Sequence, residues 1–179
     1  MAAKKKSKDR SPVSALLIRQ HNEVKAIFKK LEGGRVESGP LLTELSNKLS
    51  AHMAIEQDIY YPAVKSLKTD LVNESYEEHS LAELGLKRLL ATDPNHESFK
   101  SKVTACKELI EHHVEEEEDE LFPAVDRKMK DEELKAMAKA MKARFEEVVA
   151  AGFAATVPKG TPGKTSADVS KRGVQRKAA

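Results

Sequence analysis

The sequence predicts an all-α fold: four long helices forming a bundle, with one additional helix toward the C-terminal end. Three observations predict it. Aromatic residues are only 4% of the 179 and Trp is absent, while the strong helix formers Ala, Leu, Glu and Lys are abundant. Apolar residues recur at three- and four-residue steps along four successive stretches, the rhythm of one buried helical face. Finally, a segment is repeated: His52-Met53-Ala54-Ile55-Glu56-Gln57-Asp58-Ile59-Tyr60-Tyr61-Pro62 lies over His113-Val114-Glu115-Glu116-Glu117-Glu118-Asp119-Glu120-Leu121-Phe122-Pro123. In both, His precedes Glu by four residues, Asp follows two later, and Pro closes the segment six after the Glu.

Residues 1–11 hold little apolar content and read as a disordered basic arm. Ser11-Pro12 supplies an N-cap and a first-turn proline, after which Leu17, His21, Val24, Phe28 and Leu31 form one stripe that Gly33-Gly34 terminates. A second helix opens near Gly39-Pro40 and carries Leu42, Leu45, Leu49, His52, Glu56, Ile59 and Ala63 on one face. The third, after a break at Lys68 to Asp70, presents Val72, Ser75 or Tyr76, His79, Ala82, Leu86 and Leu89. From about Pro94 the fourth shows Phe99, Val103, Cys106, Ile110, His113, Glu117 and Leu121 or Ala124. The bundle thus spans 12–127. Residues 131–153 form an accessory helix with a narrow seam of Leu134, Met137, Met141, Phe145 and Val148, expected outside the bundle or against a second subunit. Residues 157–179, rich in Pro, Gly, Lys and Ser, read as a disordered basic tail.

Composition narrows the function classes. A single cysteine excludes an internal disulfide framework and a cysteine-held zinc or iron–sulfur site, and points to a reducing, cytoplasmic compartment. The apolar run Val13 to Ile18 is too short for a signal-peptide core or a membrane span. Although the net charge is +2, residues 1–12 and 157–179 together carry +9, which leaves −7 on the body. An acidic body with basic arms is unlike a basic-faced nucleic-acid binder, so neither nucleic acid nor membrane is expected as a partner.

Each of the four long helices places a His on its buried stripe, and two add a Glu one turn later. His and Glu four apart share a helical face, so they can address the same point. A carboxylate turned into a core costs several kcal/mol unless a cation meets it, and the stripes contain no Lys or Arg. Four imidazoles and two carboxylates exceed one tetrahedral zinc and suit two six-coordinate ions bridged by the carboxylates. His112 with Glu116 is a competing register, but Ile110 and Cys106 phase with His113, which leaves His112 flanking the site. His96 reads as a surface residue, Cys106 as a small buried apolar one, and Tyr60 as core packing near the site.

On these residues the chain resembles hemerythrin and its bacterial relatives, the HHE cation-binding domains, over roughly residues 12–125. The resemblance implies an up-down-up-down four-helix bundle around a centre of two non-haem iron ions. Their ligands would be His21, His52, Glu56, His79, His113 and Glu117, with the two Glu, and an oxo or hydroxo group, as bridges. The family's oxygen carriers have a fifth His one turn before the lone His of the third helix, where this chain has Ser75. Ser75, Tyr76, Glu83 or solvent is therefore left to complete the second ion, and reversible oxygen carriage is in doubt. The function implied is binding or consumption of a small diatomic or peroxide ligand (oxygen, nitric oxide or peroxide), with catalase- or peroxidase-like turnover as its enzymatic form. The alternative is an iron-sensing or metal-stabilised interaction module without turnover. The absence of Glu-x-x-His and His-Glu-x-x-His motifs speaks against ferritin-like oxidases and zinc hydrolases.

Overall fold

In the computed structural model, residues 10–34 and 37–153 are described; the arm of residues 1–9 and the tail of 157–179 lie outside them. The helices are α1 (Pro12–Gly33), α2 (Ser38–Ile55), α3 (Tyr61–Val64), α4 (Thr69–Leu90), α5 (Phe99–Glu116), α6 (Phe122–Lys128) and α7 (Asp131–Ala151). α2 runs into α3 through a π-helical turn, Glu56–Tyr60, and α5 runs into α6 through another, Glu117–Leu121. Among the described residues the fold is therefore four long rods and α7, all helical, with none of the helices long and apolar enough to cross a membrane.

Local chemistry explains the boundaries. Ser11 Oγ accepts the Ser14 amide at 3.2 Å and Pro12 takes the first helical position, while Gly34 ends α1 at φ 61°, a left-handed conformation that suits glycine. α5 begins at Phe99 and not near Pro94. Asp93 Oδ1 accepts the Asn95 amide at 2.8 Å, and this side-chain turn holds the chain out of helix until Ser98.

The π turns have a visible cause in Pro62 and Pro123. A proline inside a rod has no N–H to offer and its ring presses on the carbonyl four residues back. Each rod absorbs this by inserting one residue, so that the Tyr61 amide reaches back to Glu56 O and the Phe122 amide to Glu117 O. The consequence is a change of face. Ile59 is only half-buried and Ala63 is exposed, contrary to the unbroken helical stripe; Tyr60, Tyr61 and Val64 take the core positions instead.

Two apolar clusters fill the bundle. One, built on Phe28, Leu45, Leu86 and Val103, occupies the end holding the α1–α2 and α4–α5 connections. The other, built on Leu17, Tyr76, Phe122 and Met141, lies toward the opposite end. On every rod a His or Glu separates the two, so a polar layer crosses the bundle at mid-height. α7 lies outside, against α1, α2 and the first π turn; Leu134, Met141 and Val148 are its buried seam. Arg144 donates to Asp58 Oδ2 at 3.2 Å and ties α7 to that turn.

Candidate metal centre

All six side chains singled out by spacing are buried in the polar layer: His21, His52, Glu56, His79, His113 and Glu117 range from 0 to 6% exposed. They fall into two groups. Ligand atoms of His21, His52, Glu56 and Glu117 lie within 4.8 Å of one another, as do those of Glu56, His79 and His113. Glu56 belongs to both: its Oε1 is 3.2 Å from His52 Nε2 and its Oε2 3.4 Å from His79 Nε2. Glu117 Oε2 is 3.4 Å from His21 Nε2 and 3.8 Å from His113 Nε2, so it too faces both groups.

The outward nitrogens are already engaged. His21 Nδ1 lies 3.0 Å from Glu118 Oε1, His52 Nδ1 2.9 Å from Gln20 Oε1, and His113 Nδ1 2.7 Å from Glu78 Oε2. These oxygens only accept, so each Nδ1 carries a proton and each Nε2 faces inward, where His113 Nε2 lies 3.1 Å from His79 Nε2. The Gln57 amide sits 3.0 Å from His79 Nδ1, and rotating that amide presents its oxygen and the same tautomer. None of these four partners is legible in the sequence: Glu118 is hidden in a run of acids, and Gln20, Gln57 and Glu78 gain a meaning only when rods distant in sequence meet.

Inside, His79 Nε2 and His113 Nε2 meet at 3.1 Å, but most atoms of the first group have no partner. His21 Nε2, His52 Nε2, both oxygens of Glu56 and Oε2 of Glu117 are buried and make no hydrogen bond. Lone pairs facing lone pairs across 3–4 Å in a dry core are costly, and cations placed among them remove the cost. Each group is therefore a donor set able to hold a metal ion, and Glu56 stands in both.

Titration obeys this geometry. Burial, and then the charge of Glu117, push the Glu56 carboxyl well above its usual range. Burial also opposes charge on Glu117, yet His113, His21 and the Tyr61 hydroxyl bring it lower overall. His52 and His79 are driven well below the ordinary imidazole value by burial and by the neighbouring rings. They stand as neutral ligands. Burial lowers His113 too, but Glu117 and Glu78 outweigh it and raise it. Both shifts favour a bound proton, so proton and metal compete at Glu56 and His113, and affinity falls as pH falls.

The residue that spacing missed is Tyr61. Its hydroxyl donates to Glu117 Oε1 at 2.9 Å and lies 3.2 Å from His79 Nε2 and 3.4 Å from His113 Nε2. It stands at the group that lacks a fifth His. The other candidates for that place are occupied elsewhere or displaced: Ser75 Oγ donates to Leu71 O, Tyr76 Oη donates to Gln57 O, and Glu83, though buried, is outside both groups of converging atoms. The pseudo-symmetric position in the other rod is Phe122, which stacks on His21 at 5.8 Å. Tyr60 is fully buried against Tyr61 and Phe122, so it packs where expected and its neighbour supplies the hydroxyl. The available signal is Pro62, whose inserted residue shifts the next turn from four to five after Glu56.

His112 is exposed and lies outside both groups, as is His96, which caps a turn with Ser98. Replacing His113 by Ala is expected to strip metal at least tenfold more readily than replacing His112 by Ala. Metal analysis after dialysis against a chelator checks this, and equal loss from the two variants would contradict the assigned register.

Comparison with known proteins agrees with this architecture. The sequence model of the hemerythrin HHE cation-binding domain matches residues 13–125. A crystal structure of a hemerythrin HHE cation-binding domain-containing protein from Mycobacterium kansasii superposes with a TM-score of 0.69 at 29% identity, covering 77% of this chain and 87% of that one. An uncharacterised protein of Mycobacterium tuberculosis is 27% identical over 137 residues, 74% of this chain and 84% of its own length. A DNA nickase of Nostoc sp. is 27% identical over 131 residues, and there the match spans 72% of this chain but only 37% of the nickase. With the family match running through all four rods and every residue of the polar layer, this chain belongs to the hemerythrin HHE cation-binding domain family.

Proposed function

We propose that the chain is a non-haem di-iron protein whose centre binds or consumes a small uncharged ligand: oxygen, peroxide or nitric oxide. The observation that carries this reading is two buried groups of converging nitrogen and oxygen atoms that share Glu56, with His21 Nε2, His52 Nε2, both Glu56 oxygens and Glu117 Oε2 left without a hydrogen bond. His21, His52, Glu56 and Glu117 would hold one ion, and His79, His113, Glu56 and Tyr61 the other, with Glu117 facing both. Iron in such a nitrogen- and oxygen-rich set supplies one-electron redox steps and open coordination positions.

The protein's own part is selection and proton control. A cavity of about 20 Å³ adjoins the four imidazoles, walled by Val24, Leu49, Met53, Ile110 and Val114. That is room for a molecule of water's size or a little more. Its size and largely aliphatic wall disfavour sugars and large anions and admit a diatomic gas or peroxide. Tyr61 provides a hydroxyl inside the layer. Burial, then the charges of Glu117 and Glu56, hold its proton well above the usual phenol range, so it is a hydrogen-bond donor at neutral pH in the absence of metal. Residence in the cytoplasm belongs to this proposal, supported by the one buried, unpaired cysteine.

Metal analysis with an optical spectrum tests the assignment: close to two irons per chain is expected. Stopped-flow addition of hydrogen peroxide to the ferric protein tests turnover, with a spectral change and oxygen release expected. Two irons with no response to peroxide, oxygen or nitric oxide would leave a metal-stabilised interaction module in its place.

A further inference from the structure

Outside the centre, among the described residues, one more set of ligand atoms converges. On the α4–α5 face, Glu78, His112 and Glu116 each offer one atom, all within 4.8 Å of one another. His112 Nε2 is 3.8 Å from Glu78 Oε1 and 3.8 Å from Glu116 Oε1. These separations are too long for hydrogen bonds. They are close to the roughly 3–4 Å spanned by two donors that share an ion at about 2.0–2.2 Å.

The three side chains descend from solvent toward the core: His112 is 61% exposed, Glu116 26% and Glu78 10%. Although Glu116 is partly exposed, its Oε2 is buried and has no hydrogen-bond partner. Glu74 adds a further acid nearby, so Glu116 faces the negative charges of Glu78 and Glu74, countered by His112 and His113. Glu78 joins the two regions. Its Oε2 holds His113 Nδ1 at 2.7 Å, its Oε1 faces His112, and it lines the cavity beside His79 and His113.

We propose that Glu78, His112 and Glu116 form an outer site for a divalent transition-metal cation, from which ions pass into the buried centre. One imidazole with two carboxylates suits Fe²⁺, Zn²⁺ or Mn²⁺ better than Ca²⁺ or Mg²⁺, which take all-oxygen shells. The position on an exposed His makes it weaker and faster than the centre. Glu78 is the step between the two, since it touches both. The passing role rests on the centre being a metal site; the outer site does not.

Equilibrium dialysis of the metal-loaded protein against Zn²⁺, read by metal analysis, tests the site. One further ion per chain is expected beyond those that resist a brief chelator wash. His112→Ala and Glu116→Gln should each weaken that ion at least tenfold while the chelator-resistant count stays as in wild type. No further ion, or an ion that both variants bind as tightly, overturns the site. Stopped-flow loading of the metal-free protein with Fe²⁺ tests the passage: His112→Ala should slow it several-fold, and an unchanged rate overturns that role. A chelator-resistant count of zero in wild type would count against the buried centre, whereas the outer ion is still scored by its loss in His112→Ala.

Discussion

Glu56→Gln is expected to empty the centre and, at the same time, to make the metal-free fold more stable than metal-free wild type at neutral pH. Glu56 is the carboxylate shared by the two groups, so its loss withdraws a charged donor from both ions. Metal content should fall from about two per chain to near zero. Without metal, Glu56 is a fully buried acid whose carboxyl burial and Glu117 hold well above 4.5. The stability that such a group contributes is complete below the unfolded value of 4.5 and is lost as pH rises through the folded value. Metal-free wild type therefore carries a penalty at neutral pH that a neutral amide of the same shape does not, worth about 1–4 kcal/mol. For a chain of this size each kcal/mol moves Tm by roughly 2–4 °C.

The pH dependence separates this explanation from ordinary packing. The advantage of Glu56→Gln should shrink as pH is lowered toward 4.5, where wild type carries the proton and both side chains are neutral. His52 and His79, lowered by burial, lose stability as pH falls through their folded values; both rings touch Glu56, so the comparison is decided at the upper end of the pH range, where they are neutral in both proteins. Glu117→Gln should behave otherwise, since His113, His21 and Tyr61 already favour the Glu117 charge. Thermal melts of the metal-free proteins between about pH 5 and 8 decide the matter. A metal-free Glu56→Gln that is less stable than wild type at the upper end of that range would mean that the carboxylate is not a liability.

The same contrast shows what spacing along the chain can and cannot reveal. The phases of His21, His52, His79 and His113 on apolar stripes are local facts, because about 3.6 residues per turn translates spacing directly into a face. Gly34 and Ser11 likewise declare their roles through backbone and capping chemistry alone. Spacing fails wherever the period itself changes. Beyond Glu56 and Glu117 the extra residue of each π turn rotates the next stretch of rod, so Ile59 and Ala63 leave the stripe and Tyr61 enters the polar layer. The outer partners of the imidazoles are illegible for a second reason: Glu118 meets His21 across 97 residues, and nothing near either announces the other. Pro94 misleads because a turn anchored by Asp93 competes with helix initiation at the same proline.

Tyr61→Phe is expected to divide the centre into a firm half and a weak half. The substitution keeps the ring, and with it the edge contact to Tyr76 at 5.3 Å and the packing against Tyr60, so the fold should lose only about 1 kcal/mol for one hydrogen bond. What it removes is the oxygen beside His79, His113 and Glu117. His21, His52, Glu56 and Glu117 form their group without it, and Phe122 shows that an aromatic ring lacking a hydroxyl serves on that side. The ion held by His79 and His113 should therefore weaken by about 10- to 100-fold and leave first under chelator titration, giving a plateau near one metal per chain that wild type does not show. A phenol oxygen bound to ferric iron gives a visible charge-transfer band, so the loaded wild type should carry one and the variant should not. Loss of both ions together, at the chelator concentration that strips wild type, would mean that the Tyr61 hydroxyl holds Glu117 in place and takes no part in holding metal.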